Sequence, residues 1–172
     1  MLVVRSQIGD ETAFEELLRN YGPRLLQFTR KMMQSAPHIV EDLNQEIWLS
    51  IYRGLPGLLD ASKFRPWAFR IARDRIYREY RRRNVGVRPL DDNELEALPE
   101  IEETSVTLEA GELQESLDLI PPDQREVLVL RFFEEMSYEE IARVTGCTLG
   151  TVRSRIHYAK RALRNALERK MI

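Results

Sequence analysis

Arg153, Ser154, His157 and Arg161 fall on one side of a stretch whose other side carries Val152, Ile156, Ala159 and Leu163. Residues three and four apart share a helical face, so the spacing predicts a helix with one packed side and one positive, projecting side. Such side chains recognise rather than make bonds: a guanidinium donates two parallel hydrogen bonds to a base edge or a phosphate. The segment before it supplies a tight entry. Ser137 and Glu140 have the spacing of a capping box, which starts a helix at Tyr138 with Ile141, Ala142 and Val144 on its apolar side. Thr145-Gly146-Cys147 ends that helix at a glycine able to take positive φ, and Thr148 caps the next one. A short helix, a glycine turn and a basic helix form the helix-turn-helix arrangement, whose second helix can lie in the major groove of duplex DNA. An ordinary helical hairpin with solvated arginines has the same spacing, and spacing alone leaves both readings open.

Other chemistry lacks its residues. His38 and His157 are far apart, with no cysteine or carboxylate cluster at ligand spacing, so no metal site is expected. The single cysteine, Cys147, lies in the turn and reads as a small buried hydrophobe; no disulfide can form within the chain. There is no nucleophile–base pair and no glycine-rich phosphate loop, so no catalytic residue, cofactor or enzymatic activity is expected. The start of the chain lacks a secretory signal pattern, and no segment approaches the roughly 20 apolar residues of a membrane span. A cytoplasmic protein without membrane insertion is expected.

With 172 residues, 43% of them hydrophobic, the chain can bury one core or two small ones. Its net charge of −2 conceals a division: residues 1–83 carry +5, 84–124 carry −11 and 125–172 carry +4. Two positive blocks around an acidic one suggest nucleic-acid contact by the ends and a different role for the middle.

The elements that would position these groups are helical throughout. Phe14, Leu17, Leu18, Tyr21, Leu25, Phe28 and Met32 make an apolar stripe over 10–33, expected to be interrupted at Gly22-Pro23, because proline begins a helical segment but does not continue one. A second helix is predicted from near Pro37 to Arg53, with Val40, Leu43, Ile47 and Ile51 inward and Asp42, Gln45, Glu46 and Leu49 on the other side, which in itself reads as a solvated face. Residues 54–63 form a loop in which Leu58 and Leu59 are expected to fold back on the core. Ser62 then caps a third helix running to about Arg83, with Phe64, Ala68, Ile71, Ala72 and Ile76 inward. Arg70, Arg73, Tyr77 and Arg81 follow at spacings of three and four on another side. Arg81, Arg82 and Arg83 suit the helix macrodipole at a C-terminus, but Arg70 and Arg73 lie well inside. Arginines interleaved with tyrosine and tryptophan suit nucleic acid, since cations neutralise phosphates and rings stack on unpaired bases.

From Asn84 to about Glu109 the periodicity fails, and mutually repelling acids predict an extended flexible linker, either a plain spacer or a competitor for a basic groove. A short helix over Leu113–Leu119 stops at Ile120, before Pro121-Pro122. Asp123 is the expected cap of a helix over 124–133 whose Val127, Leu128, Leu130 and Phe133 cover most of its circumference, so it is buried or binds a partner. The tail from Arg164 to Ile172 adds basic residues, and no accessory domain is expected after it.

Four segments in order, Asp42-Leu-Asn-Gln-Glu46, the Phe64–Arg73 helix with its Arg-Pro-Trp, Leu119-Ile-Pro-Pro-Asp-Gln-Arg-Glu-Val-Leu128, and Ser137-Tyr-Glu-Glu-Ile-Ala with Gly150-Thr-Val-Arg-Ser-Arg155, resemble the two modules of extracytoplasmic-function sigma factors, small bacterial transcription-initiation subunits. The resemblance covers almost the whole chain. It implies an all-α protein: a three- or four-helix N-terminal module over 1–84 (region 2), an acidic linker over 85–111, and a four-helix C-terminal module with a helix-turn-helix over 112–172 (region 4). It implies core RNA polymerase, through its clamp helices and flap, and promoter DNA as partners, with an anti-sigma factor as a further one. In those terms Asp42, Gln45, Glu46 and Leu49 become a clamp contact, and the loop from Leu55 to Lys63 a specificity loop holding a flipped base of the −10 strand. Lys63, Trp67, Arg70, Arg73, Asp74 and Tyr77 face that melted strand, with Trp67 as plain core an equal alternative. Arg153, Ser154, His157 and Tyr158 fall where relatives read −35 base edges; Thr148, Thr151, Arg155, Lys160 and Arg161 fall where they hold phosphates. Asp74 stands where many relatives have asparagine, and Tyr158 where they often have arginine. Apart from the resemblance, a stand-alone helix-turn-helix regulator with a dimerising N-terminal bundle remains the other reading.

Overall fold

The computed structural model describes residues 1–83 and 117–170, which contain helices, turns and their connections and, among the described residues, no strand. The expected acidic linker and the start of the expected Leu113–Leu119 helix lie outside the described residues. The described residues belong to two compact units.

The first unit is a four-helix bundle: α1 (Leu2–Gln7), α2 (Glu11–Met32), α3 (Val40–Gly54) and α4 (Phe64–Arg82), with α2, α3 and α4 packed on one another and α1 laid on α2. α1 was not legible in the sequence, for its six residues bury no side chain and show too little period. Asp10 starts α2 by accepting from the Ala13 amide at 3.0 Å. It also takes bonds from the Thr12 hydroxyl at 2.6 Å and Arg5 Nε at 2.8 Å. These bonds, led by Thr12, hold its carboxyl at about 2.

α2 is not interrupted at Gly22-Pro23; the helix runs through with Pro23 inside it. The proline costs about 3 kcal/mol in a helix interior. Leu17, Leu25, Phe28 and Met32 are each buried in the core, and each contributes about 1.5–3 kcal/mol, so continuity wins. Pro23 itself is exposed, so its ring meets no core neighbour. Val40, Leu43, Ile47 and Ile51 are buried as the period predicts, joined by Trp48, which packs edge-on against Phe14 at 6.0 Å. Tyr80 closes the far end, its hydroxyl donating to the Met32 carbonyl.

The 54–63 loop departs from expectation in two respects. Leu55, not Leu58 or Leu59, is its buried leucine, and Leu59 is 102% exposed. Ser62 does not cap α4, which starts after Lys63 with no side-chain cap; Asp60 instead caps the single 3-10 turn Ala61–Lys63 before it, its Oδ1 accepting from the Ser62 amide at 2.9 Å and from its hydroxyl at 2.6 Å. Ser62 spends its hydroxyl on Asp60 rather than on an amide of α4, and these Ser62 bonds lower the Asp60 pKa.

In the second unit a turn at Leu117–Leu119 precedes α5 (Pro122–Leu128), which continues as a π-helical segment over Val129–Phe133, then α6 (Tyr138–Thr145) and α7 (Leu149–Lys170). Ile120 is the boundary as expected, buried before Pro121. Asp123 is not the cap: α5 begins one residue earlier, with Pro122 in its first turn and no side-chain cap. Proline already has the φ of a first helical turn, so none is required. Asp123 is instead half-buried, and that burial raises its pKa. The π segment widens the turn, with the Glu134 amide donating to the Val129 carbonyl at 3.1 Å. Val129 and Leu130 stay in the core while Phe132 is 43% exposed.

Candidate nucleic-acid and protein interfaces

The hairpin of the second unit is built as its residue types dictate. Ser137 Oγ accepts from the Glu140 amide at 3.2 Å and Glu140 Oε2 accepts from the Ser137 amide at 2.9 Å. Both halves of the capping box are thus made. Gly146 takes φ of 75°, which a side chain would strain. Thr148 Oγ1 accepts from the Thr151 amide at 3.2 Å, which caps α7. Val152, Ile156, Ala159 and Leu163 are all buried, so α7 packs by its expected side.

The opposite side is more selective than its period suggested. Arg153 and Arg161 are exposed; His157 and Tyr158 are half-buried, their rings edge-on at 5.7 Å. Ser154, expected to project, is 7% exposed, and Thr151 only 8%. A short side chain reaches less far from the helix axis than its neighbours and is covered more readily. Arg155 is half-buried and lies close enough to Asp123 to pull that carboxyl's pKa down against the larger effect of burial. Its half-buried side chain remains partly open to solvent. Lys160 Nζ sits 5.2 Å from the Phe132 ring centroid, so its charge rests on the aromatic that the π segment turns outward.

On the first unit, α4 brings together most of its expected face. Arg70 is exposed, and the Arg73 guanidinium lies over the Tyr77 ring at 4.3 Å with its Nη1 3.7 Å from Asp74 Oδ1. The Asp74 charge is thereby partly answered by its neighbour. Trp67 and Lys63 are half-buried. Trp67 lies 5.9 Å from Phe64, and its Cζ2 would stand 3.1 Å from a Cβ placed on Gly54. One side of the indole is thus core, seated where α3 ends in a glycine, and the remainder is accessible.

On α3, Asp42, Gln45 and Glu46 are exposed and Leu49 is 47% exposed, so the polar face includes an outward aliphatic residue. Tyr52, one turn further, is also exposed and meets Phe14 edge-on at 5.0 Å. Arg75, absent from the sequence-based site, organises this edge. Its Nη1 is 3.6 Å from Glu46 Oε2 and its Nη2 donates to Ser50 Oγ at 2.7 Å. That hydroxyl donates to the Glu46 carbonyl at 2.7 Å. No sequence signal links positions 46 and 75, which only the packing of α3 on α4 brings together. Among the described residues no helix is long and apolar enough to cross a membrane.

Residues 17–85 match the family model described as Sigma-70 region 2, and residues 110–163 match Sigma-70, region 4. The chain is 34% identical to the RNA polymerase sigma-H factor of Pseudomonas aeruginosa, over 97% of this chain and 92% of that protein. It is 32% identical to the ECF RNA polymerase sigma-E factor of Escherichia coli K12, over 98% and 93%. Among solved structures it is similar to the sigma factor RpoE in complex with the anti-sigma factor NepR from Bartonella quintana. The TM-score there is 0.69 and the identity 26%, over 90% of this chain and 96% of that one. It is similar also to CnrH in complex with the cytosolic domain of CnrY, with a TM-score of 0.70 and 25% identity over 97% and 95%.

Proposed function

Because this chain belongs to the extracytoplasmic-function group of sigma-70 factors and so directs promoter-specific transcription by RNA polymerase, we propose that its two units are separate grips on one promoter. Region 2 takes the melted −10 strand along α4. Arg70 and Lys63 meet phosphates there, and Trp67 and Tyr77 offer rings to unstacked bases, Tyr77 held by Arg73, with Asp74 beside it. The loop from Leu55 to Lys63 receives a flipped base, whose extrusion costs a few kcal/mol that contacts must return. The exposed face of α3, Asp42, Gln45, Glu46 and Leu49, meets the polymerase clamp; acids beside an outward leucine and tyrosine suit a basic protein surface better than DNA. Region 4 reads the −35 duplex through Arg153, His157 and Tyr158, with Thr148, Lys160 and Arg161 toward phosphates. Thr151 and Ser154, both buried, support α7 from within, and half-buried Arg155 stays beside the phosphate contacts.

The observation that carries this reading is that region 2 and region 4 are matched in order along one chain, each with an exposed cationic helix. A stand-alone regulator has no need of the first. The protein acts as a specificity subunit without catalysis of its own, and works where polymerase works. An inhibitory protein is a further class of partner, supported by the relative solved with an anti-sigma factor. Transcription of a genomic DNA library by core polymerase, with and without the chain, tests the proposal. Starts that share two spaced sequence elements are expected; failure to bind core overturns it.

A further inference from the structure

We propose that Gln7, on the six-residue helix α1, is a positioning residue for the 55–63 loop and hence for base selection at the −10 strand; this rests on the role given to that loop above. The Gln7 side-chain amide donates to the Leu55 carbonyl at 3.0 Å and to the Leu58 carbonyl at 2.7 Å, across 48 and 51 residues of chain. A primary amide has two N–H groups, so one side chain answers both carbonyls. The loop's own ties are local. The Leu58 amide donates to the Leu55 carbonyl at 3.1 Å, and the Lys63 amide to the Asp60 carbonyl at 3.0 Å. Neither spans Leu59, which stands fully exposed between the segment that Gln7 holds and the turn that Asp60 holds. The first half of the loop is therefore held from α1, an element distant in sequence that contributes no fully buried side chain, as well as by buried Leu55, whose amide donates to the Ile51 carbonyl of α3. A loop that must receive an extruded base works best when its backbone is ordered beforehand, since ordering on arrival subtracts from binding.

The test uses the full chain with core polymerase and a promoter pool randomised at the −10 element, comparing wild type, Gln7→Ala, Gln7→Glu and Leu59→Ala by sequencing the transcripts. Glutamate keeps the volume of Gln7 but cannot donate. Both Gln7 variants are expected to flatten base preference at one or two −10 positions by about three- to tenfold while leaving −35 preference and core binding unchanged. In the free protein, amide exchange at Leu58 is expected to quicken about tenfold in both variants. Gln7→Glu behaving as wild type would reduce Gln7 to a packing role and overturn the proposal, as would unaltered exchange at Leu58. A uniform loss at every promoter with a lowered melting temperature would overturn it too. If wild type shows a −10 preference that Leu59→Ala leaves intact while Leu58 exchange still responds to Gln7, the role of the loop fails and Gln7 positions only backbone.

Discussion

Arg153 stands exposed on α7, whereas Arg155, two residues on, is half-buried. The two differ in no property of the amino acid, only in angle around the helix axis; the family resemblance placed Arg155 among the phosphate contacts, while the period of Val152, Ile156, Ala159 and Leu163 placed Arg153 outward. Ser154 was read as outward by the same rule and is nonetheless buried, because periodicity gives direction and not the length of the neighbouring side chains. Arg153 is thus the better founded base reader. Arg153→Ala is expected to relax discrimination at one −35 position at a cost of about 1–3 kcal/mol, measured as initiation from promoters varied one base at a time. Equal loss at every sequence would assign it to a phosphate instead.

At the scale of elements, local rules held where the competing energies were small and failed where packing exceeded them. The capping box of α6 and the glycine that ends it are short-range devices, and both formed. Pro23 obeyed no such rule, since four large buried side chains outweigh one missing amide. The end of α4 joins the two kinds of influence. Glu79 accepts from Arg82 Nε at 2.8 Å and from Arg83 Nε at 2.5 Å, so the terminal arginines are tied to a carboxylate as well as placed against the helix dipole. The Arg82 bonds chiefly lower the Glu79 pKa from 4.5 to about 2, burial opposing and Arg83 adding. A carboxyl whose folded pKa is depressed contributes stability in full above its unfolded value and loses it as pH falls toward the folded one. Unfolding followed between pH 5 and pH 2 is therefore expected to show an acid-side loss that Glu79→Gln reduces. An unchanged profile in that variant would remove Glu79 from the account.

For the whole molecule, the near-neutral total charge is the least informative number, and its division along the chain the most. The positive first block nevertheless carries Asp42 and Glu46 outward on α3 beside Leu49, a local reversal of charge and the face proposed above for the polymerase. Asp42→Arg is expected to weaken equilibrium binding to core polymerase by about tenfold, more at low salt than at high, with the unfolding temperature unchanged because the position is exposed. Binding equal to wild type at both salt concentrations would move the polymerase contact elsewhere.

The long helices after α1, the hairpin and the order of the two regions were determined by the sequence itself, because periodicity, a capping box and a turn glycine act over a few residues and are written in neighbouring letters. The family followed from four short segments in order. Tertiary structure alone decided that Gln7 reaches the carbonyls of Leu55 and Leu58, that Arg75 answers Glu46, and that Lys160 rests on Phe132. Each of these joins residues about thirty to fifty apart, and only the packing of one helix on another brings such groups within bonding distance.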